Sequence, residues 1–176
     1  MSSRRKAREM ALQILCSVER QPELSTRQAV ATYFSHLVGG ENEDGLDEPV
    51  SDHDTPAGRV LAQQARATAL AEVRGFCEQL VDGVRGHLGE LDSLITRSSR
   101  NWRLERMAWV DRNLLRLASY ELIHCPDTPA RVAINEAIEV AKRYGAGESA
   151  AFINGVLDRV LTEIGRRDER GHKTTE

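Results

Sequence analysis

The sequence has few aromatic residues, few cysteines and no long apolar run. Aromatic residues make up 5% of the 176 residues, and this scarcity argues against an all-β fold because sheets favour such side chains. No apolar stretch approaches the roughly 20 residues that span a bilayer, so an integral membrane protein is excluded. Gln13 and Glu19 interrupt the apolar stretch after the basic N-terminus, so no secretory signal is expected. Three widely spaced cysteines favour a reducing cytoplasm over a disulfide framework.

The charges of the chain are segregated. The net charge is -3, but residues 41–54 hold seven acids and no Lys or Arg, and the rest of the chain carries +4. Four cations, Arg4, Arg5, Lys6 and Arg8, lie within the first eight residues. Because local patches steer partners more than the total charge does, an acidic chain of this kind can still bind a polyanion.

Apolar residues recur three or four positions apart along most of the chain, and this spacing predicts an all-α fold of about seven helices. The first helix is predicted from about Arg4 to Arg20, and Ser25 with Gln28 has the spacing of a capping box. Ser149 is predicted to cap the last helix, in which Gly155 is interpreted as a site of close helix packing.

The domain organisation is predicted to be simple. Residues 1–165 are expected to form a single helical domain, with residues 39–56 inserted as a flexible acidic loop. The loop is interpreted as a solvated charge run. The tail at 166–176 is polar and is expected to be disordered.

The sequence offers little sign of catalytic chemistry. It contains neither CxxC nor HExxH, and the five histidines are scattered, so no metal ligands and no cofactor are predicted. Gly145-Ala146-Gly147 has a GxG pattern, but a phosphate-binding loop needs a preceding strand, and a turn between helices explains it better. Nothing spaces Ser, His and Asp residues as a triad. The chain is therefore not expected to be an enzyme.

Three features are candidates for binding. The basic N-terminus can bind phosphates through Arg4, Arg5, Lys6 and Arg8, or it can be an ordinary solubilising end. Phe152 can stack on a base, or it can belong to the core, where aromatic residues at helical spacing usually lie. Asp111 is either a surface charge or part of a partner surface, and the residues alone leave this open.

Three blocks of the sequence resemble the NusB transcription antitermination family, and they occur in the family's order. The resemblance extends over nearly the whole chain except the acidic loop and the tail. The blocks are Arg4–Gln13, Val110–Leu122 and Val132–Asp158.

The resemblance implies an all-α fold of two packed helical subdomains. It also implies a cytoplasmic RNA-binding protein that pairs with the ribosomal protein NusE. That pair is expected to bind boxA-type RNA in nascent ribosomal RNA transcripts, so that RNA polymerase resists premature termination. No cofactor and no membrane partner are implied.

The resemblance assigns roles to particular residues. Arg4, Arg5 and Arg8 match an arginine-rich RNA-binding motif, which Lys6 extends, and Glu148 and Phe152 match a second RNA-contacting patch. Asp111 matches an acidic position on the NusE-facing surface. Cys16 stands near that surface, where many relatives carry an aromatic residue, and Ala151 stands where some carry a lysine beside the RNA.

Two alternatives come from other classes of protein. A NusB-like domain also forms the N-terminal part of some ribosomal RNA cytosine methyltransferases, but this chain has no room for the catalytic domain and would need a separate subunit. The other alternative is a structural adaptor that forms a homodimer through Val110–Leu122 and binds no RNA.

Overall fold

A computed structural model describes residues 3–39, 56–100 and 102–165. Within these ranges the chain forms seven α-helices and one 3-10 turn, Leu104–Arg106, and no strand. The helices are α1 (Ser3–Val18), α2 (Thr26–Gly39), α3 (Pro56–Gly86), α4 (Leu88–Ser98), α5 (Trp109–His124), α6 (Ala130–Tyr144) and α7 (Ser149–Glu163). The predicted all-α fold is therefore confirmed. The predicted acidic loop, apart from its ends, and the predicted tail lie outside the described residues.

The chain divides into two compact units, residues 1–79 and residues 80–176. The boundary falls inside α3, so the first unit comprises α1, α2 and most of α3. The second unit comprises the end of α3 and the helices α4 to α7. In the part of the chain that the structure describes, no helix combines the length and the apolar character needed to span a membrane.

In the first unit, α1 packs against α2 through one apolar face of each helix. A hydrogen bond from the Tyr33 hydroxyl to Gln13 Oε1, 2.8 Å long, also joins the two helices. The predicted first helix extends two residues too far, because Glu19 and Arg20 form a turn instead. The buried apolar residues of this unit include Ala7, Met10, Ala11, Ile14, Leu15, Val30, Phe34, Val73 and Cys77.

The start of α2 has the predicted capping box. The backbone N–H of Gln28 donates to Ser25 Oγ (3.3 Å), and the backbone N–H of Ser25 donates to Gln28 Oε1 (3.1 Å). This exchange satisfies backbone donors that the first turn of a helix would otherwise leave without partners.

In the second unit, α5 is the central helix and packs against α4, α6 and α7. All ten residues from Asn113 to Leu122 are buried. A helix that is buried on every side is a core helix rather than an amphipathic surface helix. The largest fully buried side chains around it include Leu80, Leu91, Ile95, Leu114, Leu117, Ile153 and Leu157.

A charged pair joins α4 to this central helix. Arg116 Nε donates to Asp92 Oδ1 (2.7 Å), and Arg116 Nη2 donates to Asp92 Oδ2 (2.9 Å). Arg116 Nη1 also donates to Asn113 Oδ1 (3.3 Å). The two parallel bonds use the planar fork of the guanidinium, which fixes the orientation of both side chains.

The helix glycine that allows close packing is not the one that the sequence indicated. A Cβ at Gly155 would meet no atom within 4 Å, so the interpretation of this glycine as a packing site is wrong. The close approach occurs at Gly83, where a Cβ would overlap the ring of Tyr120. Gly83 therefore lets the end of α3 lie directly against α5.

The predicted cap of the last helix is also wrong. Ser149 is the first residue of α7, and Glu148 occupies the cap position without a capping side-chain hydrogen bond. Ser149 Oγ instead accepts a hydrogen bond from the backbone N–H of Ala146 (2.9 Å) and so closes the preceding turn. Gly145 is the C-cap of α6, in the predicted turn between helices.

Candidate nucleic-acid interface

The basic N-terminus forms the first turns of α1. Arg4 is exposed, and Arg5 and Lys6 are half-buried. Arg8 is 2% exposed, so it lies on the buried face of α1. The four cations therefore do not form one solvated group. Arg4, Arg5 and Lys6 supply the accessible positive charge.

Phe76 of α3 holds two of these arginines. The guanidinium carbon of Arg4 lies 5.3 Å from the ring centroid, and that of Arg8 lies 5.5 Å from it. Both distances fall within the range of cation–π attraction, which aligns a guanidinium with an aromatic ring. The structure thus brings Arg4 and Arg8 together on one half-buried ring.

A shallow open cavity of about 260 Å³ lies beside this ring, lined by Ser3, Arg4, Glu72 and Phe76. An aromatic ring and a guanidinium at one opening offer a flat surface and a positive charge. Glu72 adds an acceptor. Phe76 could not be predicted from the sequence, because its position on the apolar stripe of α3 gives no sign that arginines from α1 lie against it.

Glu148 and Phe152 lie one turn apart at the start of α7. The backbone N–H of Phe152 donates to the carbonyl oxygen of Glu148 (3.1 Å), and the Glu148 side chain is exposed. The Phe152 ring is half-buried and meets the edge of Trp102, with ring centroids 5.6 Å apart. Phe152 is therefore neither a fully buried core residue nor a free platform.

Trp102 is the second aromatic residue that the sequence analysis missed. It is 58% exposed and lies in the connection before the 3-10 turn. Tryptophan is seldom left on a surface without a partner, since its ring carries much apolar area. The exposed indole and the Phe152 ring form one aromatic pair next to the first turn of α7.

The two residues assigned to a NusE-facing surface lie in different units. Cys16 is half-buried on α1. Asp111 lies in the first turn of α5, where a carboxylate is favoured by the helix dipole. Its Oδ1 is buried and receives no hydrogen bond within the described part of the chain. The basic cluster and the Phe152 patch likewise belong to separate units.

The Cys77 thiol of α3 is poorly suited to act as a nucleophile. Burial, with a smaller effect from Glu78, raises the pKa of the Cys77 thiol to about 12, so this thiol stays protonated at neutral pH. Three side chains with metal-ligand atoms, His87, Glu90 and His124, do lie together within the described residues. The spacing of the histidines in the sequence did not reveal this group.

The described residues thus form an all-helical structure in which Arg4 and Arg8 lie against the Phe76 ring, and the half-buried Phe152 ring pairs with the exposed Trp102. The sequence profile of the NusB family matches residues 5–162. The chain belongs to the NusB family, and it is a transcription antitermination protein.

Relatives cover almost the whole chain. The transcription antitermination protein NusB of Desulfitobacterium hafniense is 39% identical over 175 residues, which cover 98% of this chain and 97% of the relative. That of Sorangium cellulosum is 40% identical over 168 residues, covering 96% and 98%. The solved structure of T. maritima NusB superposes with a TM-score of 0.65 at 30% identity and covers 93% of each chain.

A further solved structure contains the antitermination factors NusB and NusE in complex with dsRNA. It superposes with a TM-score of 0.64 and covers 93% of this chain and 98% of the other, at 21% identity. At this identity the likeness confirms the helical fold.

Proposed function

We propose that this protein binds boxA-type single-stranded RNA of nascent ribosomal RNA transcripts together with NusE, and thereby helps RNA polymerase resist premature termination. The observation that carries the proposal is the pairing of Arg4 and Arg8 with the Phe76 ring at the basic end of α1, in a chain of the NusB family. A protein of the same fold has been solved with NusE and dsRNA, which supports NusE and an RNA as the classes of partner.

The basic cluster is proposed to hold the RNA backbone. Arg4, Arg5 and Lys6 have the exposure needed to reach phosphates. Arg8 is buried, so we assign it the task of fixing the Phe76 ring and the direction of α1, with any phosphate contact made from the edge of its guanidinium. Phosphate contacts position a strand without reading its sequence, so a second surface is needed for specificity.

The Phe152 patch is proposed to read bases. Unpaired bases stack on aromatic rings, and the Phe152–Trp102 pair is partly exposed at the start of a helix. The exposed carboxylate of Glu148 can accept hydrogen bonds from the amino groups of a stacked base. Ala151 is too short to add the lysine contact expected of some relatives.

NusE is proposed to contact Cys16 and Asp111. The small thiol of Cys16 leaves space that a partner side chain can fill, and Asp111 offers a carboxylate to a basic residue. RNA and NusE binding requires neither a cofactor nor a catalytic residue, so we propose a non-enzymatic, cytoplasmic role.

The first experiment is fluorescence anisotropy of a labelled boxA-type RNA, titrated with the protein alone and with its cognate NusE. Tighter binding with NusE, lost when the RNA is scrambled, is the expected result. No binding in either titration at low salt and micromolar protein would refute the proposal and favour the adaptor alternative.

The salt dependence of this binding tests the basic cluster. Each neutralised phosphate of a single strand contributes about -0.7 to the slope of log K against log salt, so Arg4→Ala with Arg5→Ala should flatten the slope by about 1.4. Arg27→Ala with Arg66→Ala removes the same charge from exposed positions of the same unit and should leave the slope closer to wild type. Equal slopes for the two double variants would contradict the assignment.

Phe152→Ala tests the aromatic patch in the same assay. Loss of a stacked base should weaken RNA binding by about 1–3 kcal/mol. The matched variant Ile153→Ala removes a neighbouring fully buried side chain, and it should lower thermal stability more than RNA affinity. If Phe152→Ala lowers only the thermal stability, Phe152 is a core residue.

A further inference from the structure

Three side chains with metal-binding atoms meet at one end of the second unit. His87 occupies the turn between α3 and α4, Glu90 lies in the first turn of α4, and His124 is the last residue of α5. One nitrogen or oxygen atom from each lies within 4.8 Å of the others. His124 Nε2 and Glu90 Oε2 are 3.0 Å apart, and the two imidazole rings are in contact, tilted by 35° with centroids 4.0 Å apart.

The surroundings of His87 prepare it for a metal. Its Nδ1 lies 2.8 Å from the carbonyl oxygen of Gly83. A carbonyl oxygen can only accept, so Nδ1 carries the proton and Nε2 keeps its lone pair. Histidine ligands of metals usually donate their other ring N–H to a backbone carbonyl or a carboxylate, which fixes the tautomer and the ring orientation.

The ring of Tyr120 limits the motion of both histidines. Its centroid lies 5.7 Å from that of His87 and 5.2 Å from that of His124. Tyr120 is itself placed by Gly83, whose missing Cβ leaves room for the ring. The same glycine therefore positions the aromatic wall and orients His87.

Access from solvent is open. Glu90 is exposed, and both histidines are half-buried, so an ion can reach the group without unfolding of the helices. The fourth position of a tetrahedral ion would face solvent, where a water molecule can occupy it, as in three-ligand zinc sites.

We propose that His87, Glu90 and His124 bind a divalent transition metal ion, with zinc as the best fit. Two imidazole nitrogens and one carboxylate oxygen suit zinc, whereas magnesium prefers an all-oxygen set. With ligand bonds of about 2.0–2.1 Å, neighbouring ligand atoms of a tetrahedral ion lie about 3.4 Å apart. The three atoms lie within 4.8 Å of one another and would have to approach by up to about 1.4 Å to reach that spacing. The ion would join the α3–α4 turn to the end of α5.

The test is titration of ZnCl₂ into the full chain after removal of metals with a chelator, followed by calorimetry. One site is expected, together with a rise in Tm. CoCl₂ should give the visible absorption bands of tetrahedral cobalt without a thiolate charge-transfer band, and MgCl₂ should not compete. A thiolate band, or equal competition by magnesium, would overturn the proposal because it would place the ion on cysteines or on carboxylates alone.

His87→Gln and Glu90→Gln are the decisive variants. Each substitution removes a ligand atom, so it should weaken zinc binding by more than about 100-fold. Loss of a residue that only supports a metal ligand weakens binding by about 10- to 100-fold. His124→Gln is a third variant of the same kind. Circular dichroism checks that each variant is folded without metal. The matched control is His36→Gln with His53→Gln, which removes two histidines elsewhere in the chain and should bind zinc as tightly as wild type. Unchanged binding in His87→Gln, or lost binding in the control, would overturn the proposal.

Discussion

Each unit of this protein buries an arginine, and the two arginines are held in different ways. Arg116 of the second unit forms two parallel hydrogen bonds to Asp92, whose carboxylate cancels its charge. Arg8 of the first unit lies over the Phe76 ring, which it shares with Arg4. A ring attracts a guanidinium but carries no net charge to neutralise it. Phe76 can therefore help to order the start of α1.

The two arginines are therefore proposed to serve different purposes, Arg116 in stability and Arg8 in binding. The carboxylate partner lies on α4, against the central helix that is buried on every side. The aromatic partner lies next to an open cavity, beside the exposed Arg4. We therefore expect the Arg116 pair to govern unfolding and the Phe76 cluster to govern RNA affinity.

Breaking the Arg116 pair should have the largest effect. Asp92→Ala leaves a mostly buried guanidinium without its carboxylate, and the free energy of unfolding should fall by about 3 kcal/mol, the lower end for a broken buried pair. Urea denaturation of the two proteins measures the change.

The control for this variant is Glu163→Ala, which breaks the exposed pair with Arg97 and should cost less than about 1 kcal/mol. If both variants lose the same stability, the Asp92–Arg116 pair has no special structural role.

Alkaline pH should reveal the apolar surroundings of Cys77 in the first unit. Its pKa is raised from 9.0 to about 12 by burial and then by Glu78, so the folded state favours the protonated thiol. The resulting stability is present below pH 9 and is lost as the pH rises towards 12. Between pH 8 and pH 10, wild type should lose about 1.4 kcal/mol more unfolding free energy than Cys77→Ala does.

Cys16→Ala is the matched variant, because it removes a half-buried thiol from the same unit and keeps Cys77. It should lose stability with pH as wild type does. An identical pH profile for Cys77→Ala and wild type would show that the Cys77 thiol ionises freely in the folded protein.

The smallest effect is expected at the Phe76 ring. Phe76→Leu keeps apolar volume but removes the attraction to Arg4 and Arg8, so RNA affinity should fall by about 0.5–1 kcal/mol. Phe76→Tyr keeps the ring and should bind RNA as wild type does. Equal RNA affinities of the Phe76→Leu and Phe76→Tyr variants would show that the attraction of the ring for Arg4 and Arg8 does not contribute to RNA binding.

The sequence predicted much of the helical framework. Capping chemistry acts between near neighbours, so the capping box of Ser25 and Gln28 could be predicted directly, and apolar spacing predicted about seven helices. The contacts that depend on residues far apart could not be read. Gly83 and Gly155 both interrupt helices, and only the position of the Tyr120 ring decides that Gly83 is the close contact.

The candidate sites follow the same rule. The Arg4 to Arg8 cluster is contiguous and was predicted, whereas Phe76 joins it from a helix that begins far along the chain. Trp102 could not be singled out from the sequence because its ring contact with Phe152 spans fifty positions. His87 and His124 are separated in the sequence by α4 and most of α5, so their spacing gives no sign that their rings lie in contact.

The aromatic pair at the start of α7 also gives the molecule a built-in optical reporter. The chain has two tryptophans, Trp102 and Trp109, and both belong to the second unit and are substantially exposed. Intrinsic emission excited at the indole band therefore follows the second unit, while opening of the first unit is invisible to it. A base that stacks beside Phe152 should quench Trp102, so binding at this patch can be followed without a label on either the protein or the RNA.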